Sequence, residues 1–359
     1  NRILLMGGFE SGALQSRVWF STAKGTADKG DDERIPNTTT VRNFLDLGEG
    51  TGGDGTGFAG PIYGSVYAFK YTQIKQLTPT GAPSPVFDVI ELSPNRGAIE
   101  QECIAVGEDA QGRPAVYFLD SQVGPMVVGA TPPTEIGQGV RDQWDLVNLA
   151  ATNKVGWVLD YPAKGQVWFA WATGVNNDPN IIAVFTKATG AWSVWDTGGQ
   201  IRLSRCAVLF ARTFGASMSR DKVPYVGYVS ANNSLLRCDT TDLDDNGTVF
   251  QGFVKTRPIA PNNGQLCRMS TPYVVATAQA GVTLTITADK DFGVDTSRSG
   301  TVDLTPTGSE TRVFRRVEGL DIGQATFLQL QIADASAIAA NWSLERIYIP
   351  ILPEEAAGP

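Results

Sequence analysis

The chain has 359 residues, carries a net charge of −8 and contains no histidine. The missing imidazole excludes Ser-His-Asp and Cys-His catalysis, histidine-ligated metals and a histidine pH switch, which leaves carboxylate, lysine, tyrosine or Ser-Lys chemistry. The acidic balance argues against a surface that grips nucleic acid through clustered lysines and arginines, and no apolar run is long enough for a membrane span.

Turn-forming residues and a repeat indicate the fold of the first part of the chain. The 39 glycines and 20 prolines favour an all-β protein. Five short segments rich in valine and aromatic residues follow one another: RVWFS at Val18, SVYAFK at Val66, AVYFLD at Val116, QVWFAW at Val167 and PYVGYVS at Val226. Because they recur about every 50 residues, we predict a β-propeller of about five to six four-stranded blades. We place it at residues 1–258.

The fourth repeat shows a whole blade, with four strands and three turns between Val155 and Asp196. In its last strand, AWSVWD, alternation places Trp192 and Trp195 on opposite faces, as a blade between two neighbours requires. Aromatic rings can either pack between blades or form a surface on which sugar rings stack. Because the same residue types recur at the same place in each repeat, we favour packing between blades. Four aspartates that follow strands are predicted to cap turns: Asp120, Asp160, Asp196 and Asp239.

Two loops resemble ligand-binding motifs without completing them. Gly48 to Gly57 has G-x-G spacings but lacks the lysine of a phosphate loop, which predicts a flexible surface loop. Asp242 to Gly247 opens like a calcium loop, but Phe253 stands where the bidentate carboxylate belongs, so a hairpin turn is the better interpretation and a partial calcium site stays open. We predict no catalytic, cofactor-binding or metal-binding residue.

A different kind of segment follows the Pro- and Asn-rich stretch around residues 254–265. Strands such as GVTLTITAD, which begins at Gly281, and FLQLQIAD, which begins at Phe327, alternate strictly between apolar and polar residues. One-sided strands predict a two-layer β-sandwich, which we place at residues 265–353. Arg312, Arg315 and Arg316 lie on one of its strands, where arginines are usually solvated or paired; in an acidic protein, complementarity to an acidic neighbour is the other interpretation.

Five segments of the sequence are SRVWFST, GPIYGSVYAFKYTQIKQLTPTG, TKATGAWSVWDTG, NGTVFQGFVKTRPIAP and FLQLQIADASAIAANWSLERIYIPI. Together they resemble the β-propeller tail proteins of tailed bacteriophages, in particular the tail nozzle or tail hub proteins of short-tailed phages. The resemblance implies a structural virion protein of the phage tail that extends the DNA channel, with no enzymatic activity and no cofactor. It implies that the protein forms a homohexameric ring. The ring would contact the adaptor, the portal-proximal ring and the tail fibres, and DNA would pass through it without specific binding.

A propeller that binds or cleaves glycans is the alternative, as a receptor-binding protein or a glycoside hydrolase. Glycoside hydrolysis needs two carboxylates and no histidine, so the composition permits it. The aspartate box of sialidases, Ser-x-Asp-x-Gly-x-x-Trp, does not occur, and KATGAW has Ala188 where its aspartate belongs. The sequence therefore predicts a protein that is not an enzyme.

Overall fold

The computed structural model is mostly β-strand and divides into two compact units, Asn1–Asp239 and Thr240–Pro359. The structure describes residues 4–6, 16–21, 43–48, 51–82, 85–152, 155–196, 203–213, 218–228, 235–238, 244–245, 248–249, 253–256, 258–261, 263–291, 297–334 and 343–353.

Five antiparallel sheets make up the described part of the first unit, in the order of the chain. The first has three strands: β1 (Leu4–Met6), β2 (Arg17–Phe20) and β3 (Phe44–Asp46). The second has four: β4 (Gly55–Ile62), β5 (Ser65–Lys70), β6 (Ile74–Pro79) and β7 (Phe87–Ser93). The third has four: β8 (Ile104–Glu108), β9 (Pro114–Asp120), β10 (Gly124–Val128) and β11 (Thr134–Glu135). The fourth has β12 (Gly156–Tyr161), β13 (Gln166–Trp171), β14 (Ile181–Thr186) and β15 (Ala191–Asp196), and the fifth has β16 (Leu203–Thr213), β17 (Met218–Tyr228) and β18 (Leu235–Arg237).

The sheets are the blades of a β-propeller, as predicted. Within each sheet the strands pair in sequence order, and the first strands of successive sheets lie against one another: β1 against β4, β4 against β8, β8 against β12 and β12 against β16. Sequential hairpins radiating from a ring of first strands are the propeller arrangement.

The core of this unit lies between blades. Four separate clusters of buried apolar side chains occupy the four junctions between successive blades. In the fourth blade, alternation along β13 sends Val167, Phe169 and Trp171 toward the third blade and Trp168 toward the fifth. A blade enclosed by two neighbours therefore needs large apolar residues on both of its faces.

The prediction that Trp192 and Trp195 pack on opposite faces is confirmed. The Trp192 ring lies 5.0 Å from Phe185, between ring centroids, and its Nε1 donates a hydrogen bond of 3.0 Å to the carbonyl oxygen of Ile136 in the third blade. The Trp195 ring packs against Trp168, 4.7 Å away and nearly perpendicular. These contacts are architectural, which supports packing as the role of this strand.

A helical segment follows β11 and packs on the fourth blade. A 3-10 turn (Gly137–Val140) leads into the short helix α1 (Arg141–Trp144), whose Trp144 ring meets Trp171 edge-on at 5.5 Å. Two further 3-10 turns occur, at Gln101–Cys103 and Pro162–Lys164. None of the helices among the described residues is long and apolar enough to span a membrane.

The second unit begins with a hairpin and continues as a β-sandwich. The hairpin pairs β19 (Asp244–Asp245) with β20 (Thr248–Val249), which agrees with the predicted hairpin at Asp244 and Asp245; the rest of the segment from Asp242 to Gly247 lies outside the described residues. One sandwich sheet has the order β21 (Phe253–Lys255), β28 (Leu328–Asp334), β24 (Thr283–Lys290) and β25 (Arg298–Asp303). Two three-stranded sheets complete it: β27 (Gly323–Ala325), β22 (Cys267–Met269) and β30 (Ile351–Pro353); and β26 (Arg312–Arg316), β23 (Tyr273–Thr277) and β29 (Leu344–Tyr348).

The sandwich strands bury one face each, as the alternation predicts. Leu284 and Ile286 of β24 and Leu330 and Ile332 of β28 belong to a single buried cluster that fills the sandwich. The boundary differs from the predicted one between residues 258 and 265, because the compact units divide at Asp239 and β21 pairs with β28 in the second unit. A three-residue strand carries too little periodicity to reveal its partner, which here lies more than 70 residues along the chain.

Candidate functional site

One outer face of the sandwich combines aromatic rings with arginines. It is the exposed surface of the sheet β26-β23-β29, whose buried residues, such as Val274 and Val313, point into the core. Because alternate residues of a strand point to opposite sides, the next residues point outward. We call this surface the aromatic–arginine face; its outward residues are Arg312, Phe314, Arg316, Tyr273, Val275, Thr277, Arg346 and Tyr348.

Strand register brings three aromatic rings together on this face. On β23, Tyr273 is the register partner of Tyr348 on β29. Val275, the next outward residue of β23, is the register partner of Phe314 on β26. The rings of Tyr273 and Phe314 are stacked with centroids 5.3 Å apart and planes 10° from parallel, and Tyr348 meets Phe314 edge-on at 6.2 Å. Phe314 is 58% exposed and Tyr348 47% exposed. Three contiguous rings thus face solvent, where apolar surface is unfavourable unless something covers it.

Arginines border the aromatic rings. Arg312 pairs with Glu345, and Arg316 Nη2 donates a hydrogen bond of 3.1 Å to Thr271 Oγ1. Arg346 Nη1 lies 3.5 Å from the Tyr348 hydroxyl, and this contact raises the pKa of the Arg346 guanidinium. Among the ion pairs of the described residues, Glu345 pairs with one of these three cations, Arg312, while Glu318 and Asp321 line a neighbouring groove with Arg316. The face is therefore locally positive although the whole chain is negative.

A shallow groove runs across this face. Its volume is about 490 Å³, and its lining consists of Val275, Arg312, Val313, Phe314, Arg346 and Tyr348. An aromatic floor with charged hydrogen-bond donors at its sides suits a ligand with both flat apolar surfaces and oxygen acceptors.

The outer face of the other large sandwich sheet has a different chemistry. Alternation along β24 and β28 turns mainly polar side chains outward, with Ala333 as the apolar exception: Thr283, Thr285, Thr287, Gln329 and Gln331. This threonine and glutamine surface is what solvent exposure alone requires of a sandwich sheet. The aromatic–arginine face therefore needs a separate explanation.

The sequence analysis predicted that arginines of this region are paired or complementary to an acidic neighbour, and two of them are paired within the sandwich. Arg315 Nη2 lies 3.0 Å from Glu310 Oε2, and Arg312 pairs with Glu345. The ring cluster of Tyr273, Phe314 and Tyr348 was not predicted. Phe314 stands in the same outward register as Arg312 and Arg316, so alternation in TRVFRRV carried the signal, but the proximity of Tyr273 and Tyr348 requires strand pairing between distant segments.

A second polar cluster lies at the junction of the third and fourth propeller blades. Asp160 and Lys187 form an ion pair whose side chains are only 8% and 6% exposed, so the predicted turn-capping role of Asp160 is wrong. Lys187 Nζ also lies 5.4 Å from the ring centroid of Tyr117, and the Tyr117 hydroxyl donates a hydrogen bond of 3.0 Å to the carbonyl oxygen of Glu108. An added Cβ at Gly107 would lie 2.4 Å from the Asp160 carboxylate, so this junction is tightly closed.

Burial dominates the electrostatics of this cluster. It raises the pKa of the Asp160 carboxyl, which the Lys187 ammonium opposes and the charge of Glu108 reinforces. Burial also raises the pKa of the Tyr117 hydroxyl, together with the negative charges of Asp160 and Asp109. The ion pair joins two hairpins of the fourth blade and packs against Tyr117 and Gly107 of the third, and this closed packing keeps solutes away from the carboxylate.

The remaining turn and loop predictions have mixed outcomes. Asp120 caps its turn as predicted, because its carboxylate accepts hydrogen bonds of 2.9 to 3.0 Å from three backbone N–H groups. The side chains of Asp196 and Asp239 lie outside the described residues. In the loop from Gly48 to Gly57, the buried Lys70 ammonium donates to the carbonyl oxygens of Gly48, at 2.6 Å, and Thr51. Glu49 and Gly50 lie outside the described residues, and the flexibility of this loop stays a prediction.

No family profile and no curated protein sequence matches the chain. Among solved structures, it is similar to an exo-β-1,3-galactanase from Phanerochaete chrysosporium, with 11% identity, coverage of 98% of this chain and 100% of that chain, and a TM-score of 0.27. It is similar to a glycoside hydrolase family 43 arabinoxylan arabinofuranohydrolase from Bacillus subtilis, with 12% identity, coverage of 97% and 94%, and a TM-score of 0.25. It is also similar to the extracellular domain of a putative hybrid two-component system from B. thetaiotaomicron, with 10% identity, coverage of 95% and 54%, and a TM-score of 0.31.

These comparisons correct two predictions. Two of the three structures are named as glycan-cleaving enzymes and none is a phage tail protein, so the comparisons run against the predicted nozzle or hub function and against the prediction that excluded an enzyme. Those activities belong to the proteins compared. The predicted ring, its tail partners and the virion location stay predictions. At these identities the similarity concerns the fold alone, and a function for this chain depends on its own residues.

Proposed function

We propose that this protein binds glycans and that the aromatic–arginine face of its sandwich is the binding site. The observation that carries the proposal is the exposed ring cluster of Tyr273, Phe314 and Tyr348. A pyranose ring has an apolar face of C–H groups that packs on an aromatic ring, and hydroxyl groups at its edge that accept hydrogen bonds. The rings and the arginines beside them offer both kinds of contact.

The ring cluster contributes little to the sandwich core. Phe314 points away from the buried cluster, which its neighbours Val313 and Val317 enter, and more than half of its surface is exposed. Packing between blades explained the propeller tryptophans, but no such neighbour covers Phe314 among the described residues of the second unit. A ligand that covers these rings would remove apolar surface from water.

Glycan binding by the purified protein tests this proposal, with Phe314→Ala as the key variant. We expect the variant to bind a panel of immobilised polysaccharides about fivefold more weakly, because an aromatic contact contributes on the order of 1 kcal/mol. Biolayer interferometry measures the affinities. Thermal unfolding should change little, because the side chain is exposed.

Thr285→Ala is the matched control, since Thr285 faces outward from the other large sheet of the same sandwich. It should leave binding unchanged. If Phe314→Ala binds the panel as well as the unaltered protein does, or if the unaltered protein binds no glycan, the proposal fails.

Glycan cleavage in the propeller is the second candidate function. Most glycoside hydrolases use two carboxyl groups, one of which has a raised pKa and acts as the acid. The raised pKa of Asp160 and the influence of the Glu108 carboxylate on it favour this candidate. Lys187 and the tight approach of Gly107 stand in the way, so cleavage requires the junction of the two blades to open. Reducing-sugar release that Asp160→Asn abolishes would support it; no release from any glycan that the protein binds would eliminate it.

A further inference from the structure

We infer that the aromatic–arginine face selects anionic glycans, those that carry carboxylate or sulfate groups, over neutral ones. The inference rests on the proposed glycan-binding function and adds the chemical class of the ligand. Its basis is the placement of three guanidinium groups around one ring cluster, in a chain whose net charge is −8.

Register fixes the spacing of these arginines. Arg312 and Arg316 lie two residues to either side of Phe314 on β26, about 7 Å along the strand in each direction. Arg346 and Phe314 are both register partners of Val275, so they lie two strands apart, about 10 Å across the sheet. Guanidinium groups thus flank the ring cluster on three sides.

The chemistry of arginine decides which ligand this arrangement favours. A guanidinium presents parallel N–H donors whose fork matches the two oxygens of a carboxylate or sulfate, and these charge-assisted bonds are stronger than bonds to a neutral hydroxyl. Glu345 neutralises part of the charge of Arg312, whereas Arg346 and Arg316 have the neutral partners Tyr348 and Thr271. Two arginines therefore keep their full charge for an anion.

The negative charge of the rest of the chain strengthens the case for a dedicated site. An acidic protein repels polyanions over most of its surface, so nonspecific attraction does not account for a positive face. A neutral glycan would also accept hydrogen bonds from these arginines, but weaker ones than a carboxylate or sulfate accepts. The charges are complementary to an anionic ligand.

Binding to polysaccharides that differ only in charge tests the inference. The probes are polygalacturonate and its methyl-esterified form, which compare a carboxylate with a neutral ester, and dextran sulfate and dextran, which compare a sulfate with a hydroxyl. We expect at least one anionic probe to bind the full chain about tenfold more tightly than its neutral counterpart at low salt, with the difference shrinking as salt screens the charges. Whichever pair shows the difference identifies carboxylate or sulfate as the recognised group.

Arg346→Gln should remove most of the preference for the anionic probe and weaken the binding of its neutral counterpart much less, because a neutral hydroxyl accepts a weaker hydrogen bond than an anion does. Arg346→Lys should recover only part of the preference, because lysine keeps the charge without the fork. Arg298→Gln is the matched control: it makes the same charge change on β25, where Arg298 Nη1 donates a hydrogen bond of 2.9 Å to the Asp321 carbonyl oxygen. The control should keep the full preference.

The outcomes separate this inference from the function it rests on. If the protein binds charged and neutral probes with equal affinity, and Phe314→Ala abolishes that binding, the inferred selectivity is wrong and the proposed glycan binding stands. Equal loss of preference in Arg298→Gln and Arg346→Gln would also overturn it, since net charge rather than the face would then be responsible. Absence of binding to all four probes, with a self-association in analytical ultracentrifugation that Phe314→Ala abolishes, would overturn both and make the face a contact between copies of the chain.

Discussion

Replacing Trp171 with alanine is expected to lower the free energy of unfolding of the propeller by about 3 to 5 kcal/mol, the usual cost of removing a large buried aromatic side chain. The Trp171 ring is completely buried at the junction of the third and fourth blades and meets Trp144 edge-on. Its Nε1 also donates a hydrogen bond of 3.4 Å to the Gln143 carbonyl oxygen. The variant leaves a cavity, a lost ring contact and an acceptor without this donor.

Urea denaturation followed by far-UV circular dichroism measures the effect without relying on tryptophan fluorescence. Trp195→Ala is the matched control, because this ring lies on the outer strand of the same blade and is 41% exposed. We expect a clearly smaller loss from the control, since less surface leaves the core. Equal losses from the two variants would contradict the assignment of the core to the blade junctions.

Replacing Lys187 with methionine is expected to cost about 3 to 5 kcal/mol at neutral pH, because it leaves the buried carboxylate of Asp160 without its partner. The double variant Asp160→Asn with Lys187→Met should recover much of this loss, since it leaves no charge in the junction. Chemical denaturation of the single and double variants measures both effects. A double variant as unstable as Lys187→Met alone would show that the charge of Asp160 is not the cause.

The cost of Lys187→Met should also depend on pH. Burial raises the folded pKa of Asp160 above its ordinary value of 3.8, so the folded state binds more protons than the unfolded state between these two values. The stability from this carboxyl is thus fully present below pH 3.8 and is lost as the pH rises through the folded pKa. Lys187→Met should therefore approach the stability of the unaltered protein in acid and fall behind it toward neutrality. A loss independent of pH would point to packing instead.

The parts of the fold that depend on local periodicity could be predicted from the sequence. Alternation in GVTLTITAD and FLQLQIAD predicted the sandwich strands, and the recurring aromatic strands predicted the blades. Both patterns can be read within a single strand, because the residues on each face of a strand must suit the core or the solvent whichever strand it pairs with. The boundary of the second unit was missed because β21 has only three residues.

The candidate site could not be predicted because its parts come from distant positions. Tyr273, Phe314 and Tyr348 meet only through the register of three strands, and no periodic pattern within one strand encodes that register. The same holds for Asp160, whose position after an apolar run suggested a turn, whereas its partner Lys187 is supplied by another hairpin. The resemblance to tail proteins rested on phrases of strands and turns, which many repeated β folds share.

The anchoring of the glycine-rich loop by Lys70 has a consequence for how that loop responds to ions. The carbonyl oxygens of Gly48 and Thr51 converge on one buried ammonium, as backbone oxygens converge on a metal cation. The Lys70 ammonium thus occupies the position between these carbonyl oxygens that a bound cation would otherwise take. Dissolved calcium or magnesium would have to displace that ammonium to bind there, so the conformation of this loop is expected to be indifferent to either ion.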